Sequence, residues 1–308
     1  MIDALTTLLS SPMMQRSLLA ALIVGLTAPI IGTYLVHRRL AMLGDGIGHI
    51  SLTGVALGWL VGAFANVSPA DSWAIPGAVI VSLLGAITIE LVRQSGRTSG
   101  DTALAMLFYG GIAGGVLLIG LAGGTSAQLN SYLFGSISTV RWSDITLITI
   151  LGIAIVALGI GLAPALFSVT NDEDFARSTG LPVRTLSLLI AVLSALTVAV
   201  AMRVVGSLLV SALMVIPVAI AQLGARSFRS TMGIAMMLGV VICTSGLSLT
   251  YFIDLSPGAT IVVGAIALYA IGFGIRAIVD RIRRVRRLRV ARGHNQHPER
   301  EHLAPTDA

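Results

Sequence analysis

Long apolar segments recur along almost the whole chain, separated by short stretches that contain arginine, glycine or proline. Each segment has about twenty residues, enough for a helix to cross the ~30 Å hydrocarbon layer of a bilayer. We therefore predict an all-α integral membrane protein with about nine transmembrane helices, or eight to nine plus a re-entrant segment at 123–138. The predicted spans are 17–36, 41–64, 74–92, 102–122, 145–167, 186–201, 204–223, 232–253 and 260–279.

The composition agrees with this pattern and excludes a soluble globular domain. Of the 308 residues, 55% are hydrophobic and 11% are charged, and the mean hydropathy is +0.92. The single cysteine, Cys243, lies inside an apolar run. It can form neither a disulfide framework nor a thiolate metal cluster, so we interpret it as a packing residue.

The positive charges predict the orientation of the spans. All 20 cationic residues are arginine, and the net charge is +6. With nine spans, most of them fall on one side, which the positive-inside rule makes cytoplasmic. This gives an external N-terminal segment (1–16), a transmembrane domain (17–279) and a cytoplasmic, Arg-rich, partly disordered tail (280–308). A basic run directly after a span favours anionic lipid over nucleic acid as its contact.

Two ionisable residues lie within the second predicted span. Asp45 and His49 occupy an apolar stretch where an ionisable group costs at least a few kcal/mol. They are four residues apart, so one helix face carries both. A carboxylate with an imidazole suits Zn²⁺ or Mn²⁺, although a hydrogen-bonded structural pair or a proton relay remains open. The glycines Gly54, Gly58 and Gly62 fall on the opposite face and predict close helix packing.

A second unusual stretch lies at 202–222. Gly206, Ser207 and Ser211 give small and hydroxylic positions near the expected external end of the span, and Pro217 is expected to bend or interrupt the helix. Because a broken membrane helix usually borders a cavity or gate, these residues are candidates for a transport pathway. A purely architectural kink is the alternative.

The longest predicted cytoplasmic connection between spans is 171–184, with the sequence NDEDFARSTGLPVR. Its acidic start, its apolar Phe175 and Leu181 and its Gly180-Leu181-Pro182 turn predict a short amphipathic helix followed by a turn. An ordinary solvated loop is the alternative.

Together these motifs resemble the metal-specific ABC permease family, the membrane subunits of bacterial zinc and manganese importers. The resemblance covers roughly residues 17–274. It rests on RRLAMLGDGIGHISLTGVALG, NSYLFGSIS, NDEDFARSTGLPVR, AMRVVGSLLVSALMVIPVAIA and SGLSLTYFIDLSPGATIVV, in that order.

The resemblance implies roles for individual residues. Asp45 and His49 match the family's metal-handling pair. The segment with Asp174, Phe175, Gly180 and Leu181 looks like the one that docks on the ATPase subunit. Thr53, where manganese permeases more often carry proline, favours zinc over manganese. The chain departs from the commoner pattern at Gly48, where alanine is usual, and at Ile50.

The resemblance also implies the partners. It predicts a multi-pass protein of the bacterial cytoplasmic membrane that forms a homodimer, binds two ATPase subunits and receives metal from an extracytoplasmic binding protein. No cofactor is expected to stay bound, and the chain is not expected to be an enzyme. It contains no lysine and therefore no P-loop, so a partner must hydrolyse the ATP. The alternatives are a proton-coupled secondary transporter and an iron-chelate or vitamin ABC permease.

Overall fold

A computed structural model describes residues 10–65, 67, 70–96, 99–123, 125–136, 140–253 and 255–294. A 3₁₀ turn, Ala70–Trp73, precedes the third α-helix. The α-helices are α1 Pro12–His37, α2 Ala41–Phe64, α3 Ala74–Ser95, α4 Gly100–Leu121, α5 Ser126–Phe134, α6 Trp142–Gly161, α7 Ala163–Asn171, α8 Glu173–Ser178, α9 Val183–Val205, α10 Val210–Gln222, α11 Phe228–Phe252 and α12 Pro257–His294.

Local sequence signals set several helix ends. The Ser99 side chain accepts a hydrogen bond from the Thr102 amide at the start of α4, and Ser227 caps α11 in the same way. Thr125 and Gln128 form a reciprocal capping box on α5. These side chains accept hydrogen bonds from backbone amides of the first helical turn, which have no acceptor within the helix. Each helix therefore starts at a defined residue.

The predicted all-α membrane architecture is confirmed. Among the described residues, eight helices are long and apolar enough to cross a membrane, and Val210–Gln222 is a shorter apolar helix. The predicted span 204–223 is not one helix, because the backbone leaves helical geometry at Gly206 and α10 begins at Val210. At 1.5 Å per residue, α10 is about 20 Å long, too short to cross the bilayer alone.

Helices α1 and α9 form the interior of the bundle. Their apolar windows are 72% buried, against 17% for α4 and α12. Close backbone approach through glycine makes this packing dense: a Cβ at Gly25 would lie 2.6 Å from the Gly239 carbonyl oxygen. Gly54 and Gly58 of α2 pack against Gly77 of α3 in the same way, as the glycine spacing predicted.

Three irregular segments meet inside the bundle and form what we call the junction: 134–135 after α5, 206–208 after α9 and 256–258 at the start of α12. The amides of Ser207 and Leu208 donate to the carbonyl oxygens of Tyr132 and Leu133, at 2.8 and 3.2 Å. The Ser256 hydroxyl donates to the Phe134 carbonyl oxygen at 3.2 Å. The last carbonyls of α5 therefore receive partners that their own helix cannot supply.

Glycine makes the junction sterically possible. Gly135 and Gly206 adopt φ values of +76° and +90°, a region that residues with a Cβ rarely adopt. A Cβ at Gly258 would overlap the Val205 carbonyl oxygen.

One end of the bundle carries Arg38, Arg93 and Arg184, and we call it the arginine-rich end. Helix α12 does not stop at Val279 but continues to His294, so the predicted boundary at 279–280 does not coincide with a helix end. Residues 295–308 of the predicted tail lie outside the described residues.

Gly258→Ala tests the packing of the junction. We expect it to lower the melting temperature of the detergent-purified protein by several degrees, because its Cβ meets backbone atoms that cannot move aside independently. Gly264→Ala in the same helix is the control, because a Cβ there meets nothing within 4 Å. Equal melting temperatures for the two variants would contradict the close packing.

Candidate metal site

Asp45 and His49 lie in the first turns of α2 and face the bundle interior. The His49 Nε2 is 3.9 Å from Asp45 Oδ1. The His49 side chain is 3% exposed and that of Asp45 is 28% exposed. The distance is too long for a hydrogen bond, which disfavours a structural pair held together directly. The imidazole is enclosed, while the carboxylate borders open space.

The break after α9 brings two predicted pathway residues to this pair. The Ser211 hydroxyl donates to Asp45 Oδ1 at 3.1 Å. A Cβ at Gly48 would lie 2.7 Å from the Ser207 carbonyl oxygen, so α2 touches the junction directly. Both serines therefore contact the first two turns of α2, which lie nearer the arginine-rich end than the rest of that helix.

Pro217 does not interrupt its helix, and the predicted bend stays a prediction. It lies buried within α10, which continues through it to Gln222. The helix break lies upstream, at 206–209, where Gly206 ends α9. Glycine at a positive φ, and not proline, therefore terminates the helix beside Asp45.

Helix α4 closes the other side of His49. The Phe108 ring meets the imidazole edge to face, with ring centroids 4.2 Å apart. A Cβ at Gly111 would lie 2.6 Å from the His49 carbonyl carbon, and the Thr53 hydroxyl donates to the Gly111 carbonyl oxygen at 2.7 Å. Sequence reasoning missed Phe108, because one aromatic residue in an apolar span carries no distinguishing signal.

The donor atoms can serve a divalent metal ion. Ligand atoms ~2.0–2.2 Å from a tetrahedral ion lie roughly 3.4 Å apart, so Nε2 and Oδ1 need to approach by about half an ångström. His49 Nδ1 and Ser207 Oγ are buried without a hydrogen-bond partner. The described residues contain no group of three or more His, Cys, Asp or Glu side chains. Within the described part of the chain, Asp45 and His49 therefore form an incomplete ligand set, with the Ser211 hydroxyl close by.

The segment 171–184 folds as predicted into a short helix and a turn. The Asp172 side chain caps α8 by accepting from the Asp174 and Phe175 amides. Phe175 is 60% exposed, and Gly180 turns the chain at φ +82°. Leu181 instead packs against the core. Of these two apolar side chains, Phe175 is therefore the one that is largely exposed to a partner.

Charged residues tie α8 to the bundle, a feature that sequence reasoning missed. The Arg38 guanidinium pairs with Glu173 and also donates to the Ser187 hydroxyl at 3.0 Å. Arg93 pairs with Glu90 at 2.8 Å and reaches Glu173 at 3.5 Å. The side chains of Arg38 and Glu90 are 5% and 3% exposed. The network is enclosed at Arg38 and Glu90, while Glu173 is 38% exposed. It joins α8 to α3, to α9 and to the α1–α2 connection.

Comparisons with known proteins agree with this architecture. The model of the ABC 3 transport family matches residues 10–276. The manganese transport system membrane protein MntC of Halalkalibacterium halodurans is 32% identical over 86% of this chain and 88% of its own length. The high-affinity zinc uptake system membrane protein ZnuB of Haemophilus influenzae is 29% identical over 83% and 94%.

A solved structure shares the fold. The structure described as PsaBC from Streptococcus pneumoniae in complex with Fab matches with a TM-score of 0.78 and 30% identity. The match covers 89% of this chain and 95% of that chain. The predicted family resemblance is thereby confirmed.

Ser211→Ala tests the geometry of the site. Because Asp45 loses a hydrogen bond to a charged group, worth about 1.5–3 kcal/mol, we expect metal binding to the purified chain to weaken about tenfold or more. Ser211→Thr keeps the hydroxyl and is expected to bind within a few-fold of wild type. Calorimetric titration with Zn²⁺ and Mn²⁺ measures both. Unchanged affinity in Ser211→Ala would separate Ser211 from the site.

Proposed function

This chain belongs to the ABC 3 transport family, and we propose that it is the permease of an ATP-driven importer whose cargo is zinc, handled by Asp45 and His49. The observation that carries the assignment is the placement of this pair. Both side chains lie within a predicted membrane span, on one helix face, with the Ser211 hydroxyl bound to the carboxylate. Placing an ionisable pair inside a membrane span costs free energy, and the binding of a passing cation would offset that cost.

The choice of zinc rests on ligand chemistry. An imidazole ligand favours zinc, whereas carboxylate and water ligands favour manganese. His49 is therefore the residue that supports zinc over manganese as the cargo. Thr53 supports zinc only indirectly, because its hydroxyl binds the Gly111 carbonyl oxygen on α4. The named relatives include manganese and zinc proteins at similar identity. Manganese uptake is therefore the measurement that decides between them.

The proposed assembly follows from what one chain lacks. Two protein ligands are too few for the usual tetrahedral zinc shell. Two copies around a two-fold axis would supply two carboxylates and two imidazoles, and the partly exposed Asp45 is the ligand able to face such an axis. The arginine-rich end is assigned to the cytoplasm. ATP-binding subunits would dock there on Phe175 and α8, and an extracytoplasmic binding protein would deliver the metal at the opposite end.

Substituting the two ligands tests the function. In cells that lack other zinc importers, Asp45→Asn and His49→Ala should reduce zinc uptake to background. Losing a residue that only hydrogen-bonds to a metal ligand costs about 10–100-fold in metal affinity. Losing the ligand itself should therefore cost more. Uptake of radiolabelled zinc, with unlabelled manganese as competitor, is the measurement. Asp280→Asn makes the same chemical change on exposed α12 and should transport normally.

If both ligand variants take up zinc as wild type does, at equal abundance in the membrane, the assignment of Asp45 and His49 as metal ligands is wrong. If the wild-type chain takes up manganese efficiently and zinc weakly, the metal site stands and manganese is the cargo.

Phe175→Asp tests docking on α8. A charge at this exposed apolar position should weaken ATPase association and lower metal-stimulated ATP hydrolysis about tenfold or more, with metal binding unchanged. Phe175→Leu keeps an apolar surface and should retain most of the activity. Normal assembly and ATP hydrolysis in Phe175→Asp would place docking elsewhere.

A further inference from the structure

A polar cleft of about 480 Å³ opens at the arginine-rich end, beside α8. Its lining includes Arg38, Arg39 and Arg93 together with Thr170 and Glu173. It lies at the ends of α1, α3 and α7, so three helices and the start of α8 meet around it. The metal site does not use this cleft.

The charges within the cleft do not balance. Arg38 and Arg93 both form ion pairs with Glu173, and Arg93 also forms one with Glu90. The charges of these two guanidiniums are therefore neutralised by two carboxylates. Arg39 lines the same cleft and has neither an ion pair nor a hydrogen bond from its side chain among the described residues. One positive charge is therefore left over.

The backbone of Arg39 is strained. Helix α1 ends with the Leu40 amide donating to the Leu35 carbonyl oxygen at 2.8 Å and the Arg39 amide donating to the Val36 carbonyl oxygen at 3.1 Å. This pattern normally places glycine at the position of Arg39. Arg39 has φ +59°, and it alone among the described non-glycine residues has a positive φ. Because glycine would avoid the steric cost, a long cation here indicates a use for its side chain.

A hydroxyl in the same cleft also lacks a partner. Thr170 is 7% exposed, and its Oγ1 is buried without a hydrogen bond. A buried hydroxyl without a partner carries a desolvation cost that a bound acceptor would remove. Arg39 provides an exposed guanidinium, whose chemical partner is an oxyanion, and Thr170 adds an O–H donor that an acceptor reaches only if the cleft wall moves.

We propose that this cleft receives a carboxylate from an Asp or Glu side chain of the ATP-binding subunit, next to the contact at Phe175. The inference rests on the proposed function, which supplies that partner. Glu173 lines the cleft and is the first residue of α8, so a subunit seated on α8 also covers the cleft. Helix α1 lies in the bundle interior, with 72% of its apolar window buried. The cleft also includes Arg93 at the end of α3, whose apolar window is 39% buried, so a lipid phosphate is the competing occupant that the experiment separates.

Arg39→Gly is the decisive variant, because glycine suits the backbone while the cation is lost. We expect a melting temperature equal to or above that of wild type, together with about tenfold weaker binding of the ATP-binding subunit. Arg39→Lys should retain most of the binding. Arg226→Gly removes an exposed loop arginine outside the cleft and should bind as wild type does. Binding is measured on chains in phosphatidylcholine nanodiscs at low and physiological salt.

A further set of variants identifies the acid. Each Asp and Glu on the docking face of the ATP-binding subunit is changed to Ala and tested against wild type and Arg39→Gly. The partner acid is the one whose substitution weakens binding to wild type and has no further effect on Arg39→Gly.

Three results overturn the inference. Unchanged subunit binding in Arg39→Gly would reject the cleft as a contact and leave the proposed function intact. If Arg39→Gly binds phosphatidylglycerol vesicles more weakly than wild type does but binds the ATP-binding subunit normally, the cleft is a site for lipid phosphate. If the wild-type chain itself binds no ATP-binding subunit while it still takes up metal, the proposed importer fails and the inference fails with it.

Discussion

Backbone hydrogen bonding at membrane depth is the constraint on which the rest of this structure depends. Inside a bilayer no water can satisfy a free amide or carbonyl, so non-helical backbone persists there only where protein encloses it. The junction meets this requirement: the amides of Ser207 and Leu208 bind the last carbonyls of α5. This lets the chain leave helical geometry at Gly206 and restart at Val210. The break in turn places Ser207 and Ser211 beside α2, which carries Asp45 and His49.

The sequence predicted the spans because hydrophobic length is a local property. It also predicted Asp45 and His49, because an ionisable pair in an apolar span contradicts its surroundings. It could not place Ser211 against Asp45, since that contact joins residues 166 positions apart and depends on how α10 packs. For the same reason it named Pro217 as the residue that bends or interrupts the helix. Proline is the strongest local breaker, but the junction supplies partners for the Ser207 and Leu208 amides, so the chain leaves helical geometry there.

The charged network shows the same limit. Glu173 and Arg38 lie 135 positions apart, and neither position is unusual in a segment expected at a membrane surface. Only the fold shows that Arg38 and Glu90 are almost fully enclosed and that Glu173 is shared by two arginines. The different exposure of Phe175 and Leu181 also follows from the fold. The amphipathic pattern predicted a helix and a turn without specifying which apolar side chain would reach the core.

The network gives a physical reason why α8 and α2, which carries Asp45 and His49, should move together. Removing one partner of a buried ion pair leaves an uncompensated charge and costs about 3–5 kcal/mol. A displacement that pulled Glu173 away from Arg38 would leave the enclosed guanidinium without its carboxylate, at a smaller cost because Glu173 is 38% exposed to solvent. Arg38 lies in the short connection before α2, and Asp45 lies only about 6 Å along the helix from Ala41. A rigid shift of α8 is therefore cheaper if the start of α2 follows it, and the helix would carry Asp45 and His49 with it against the junction.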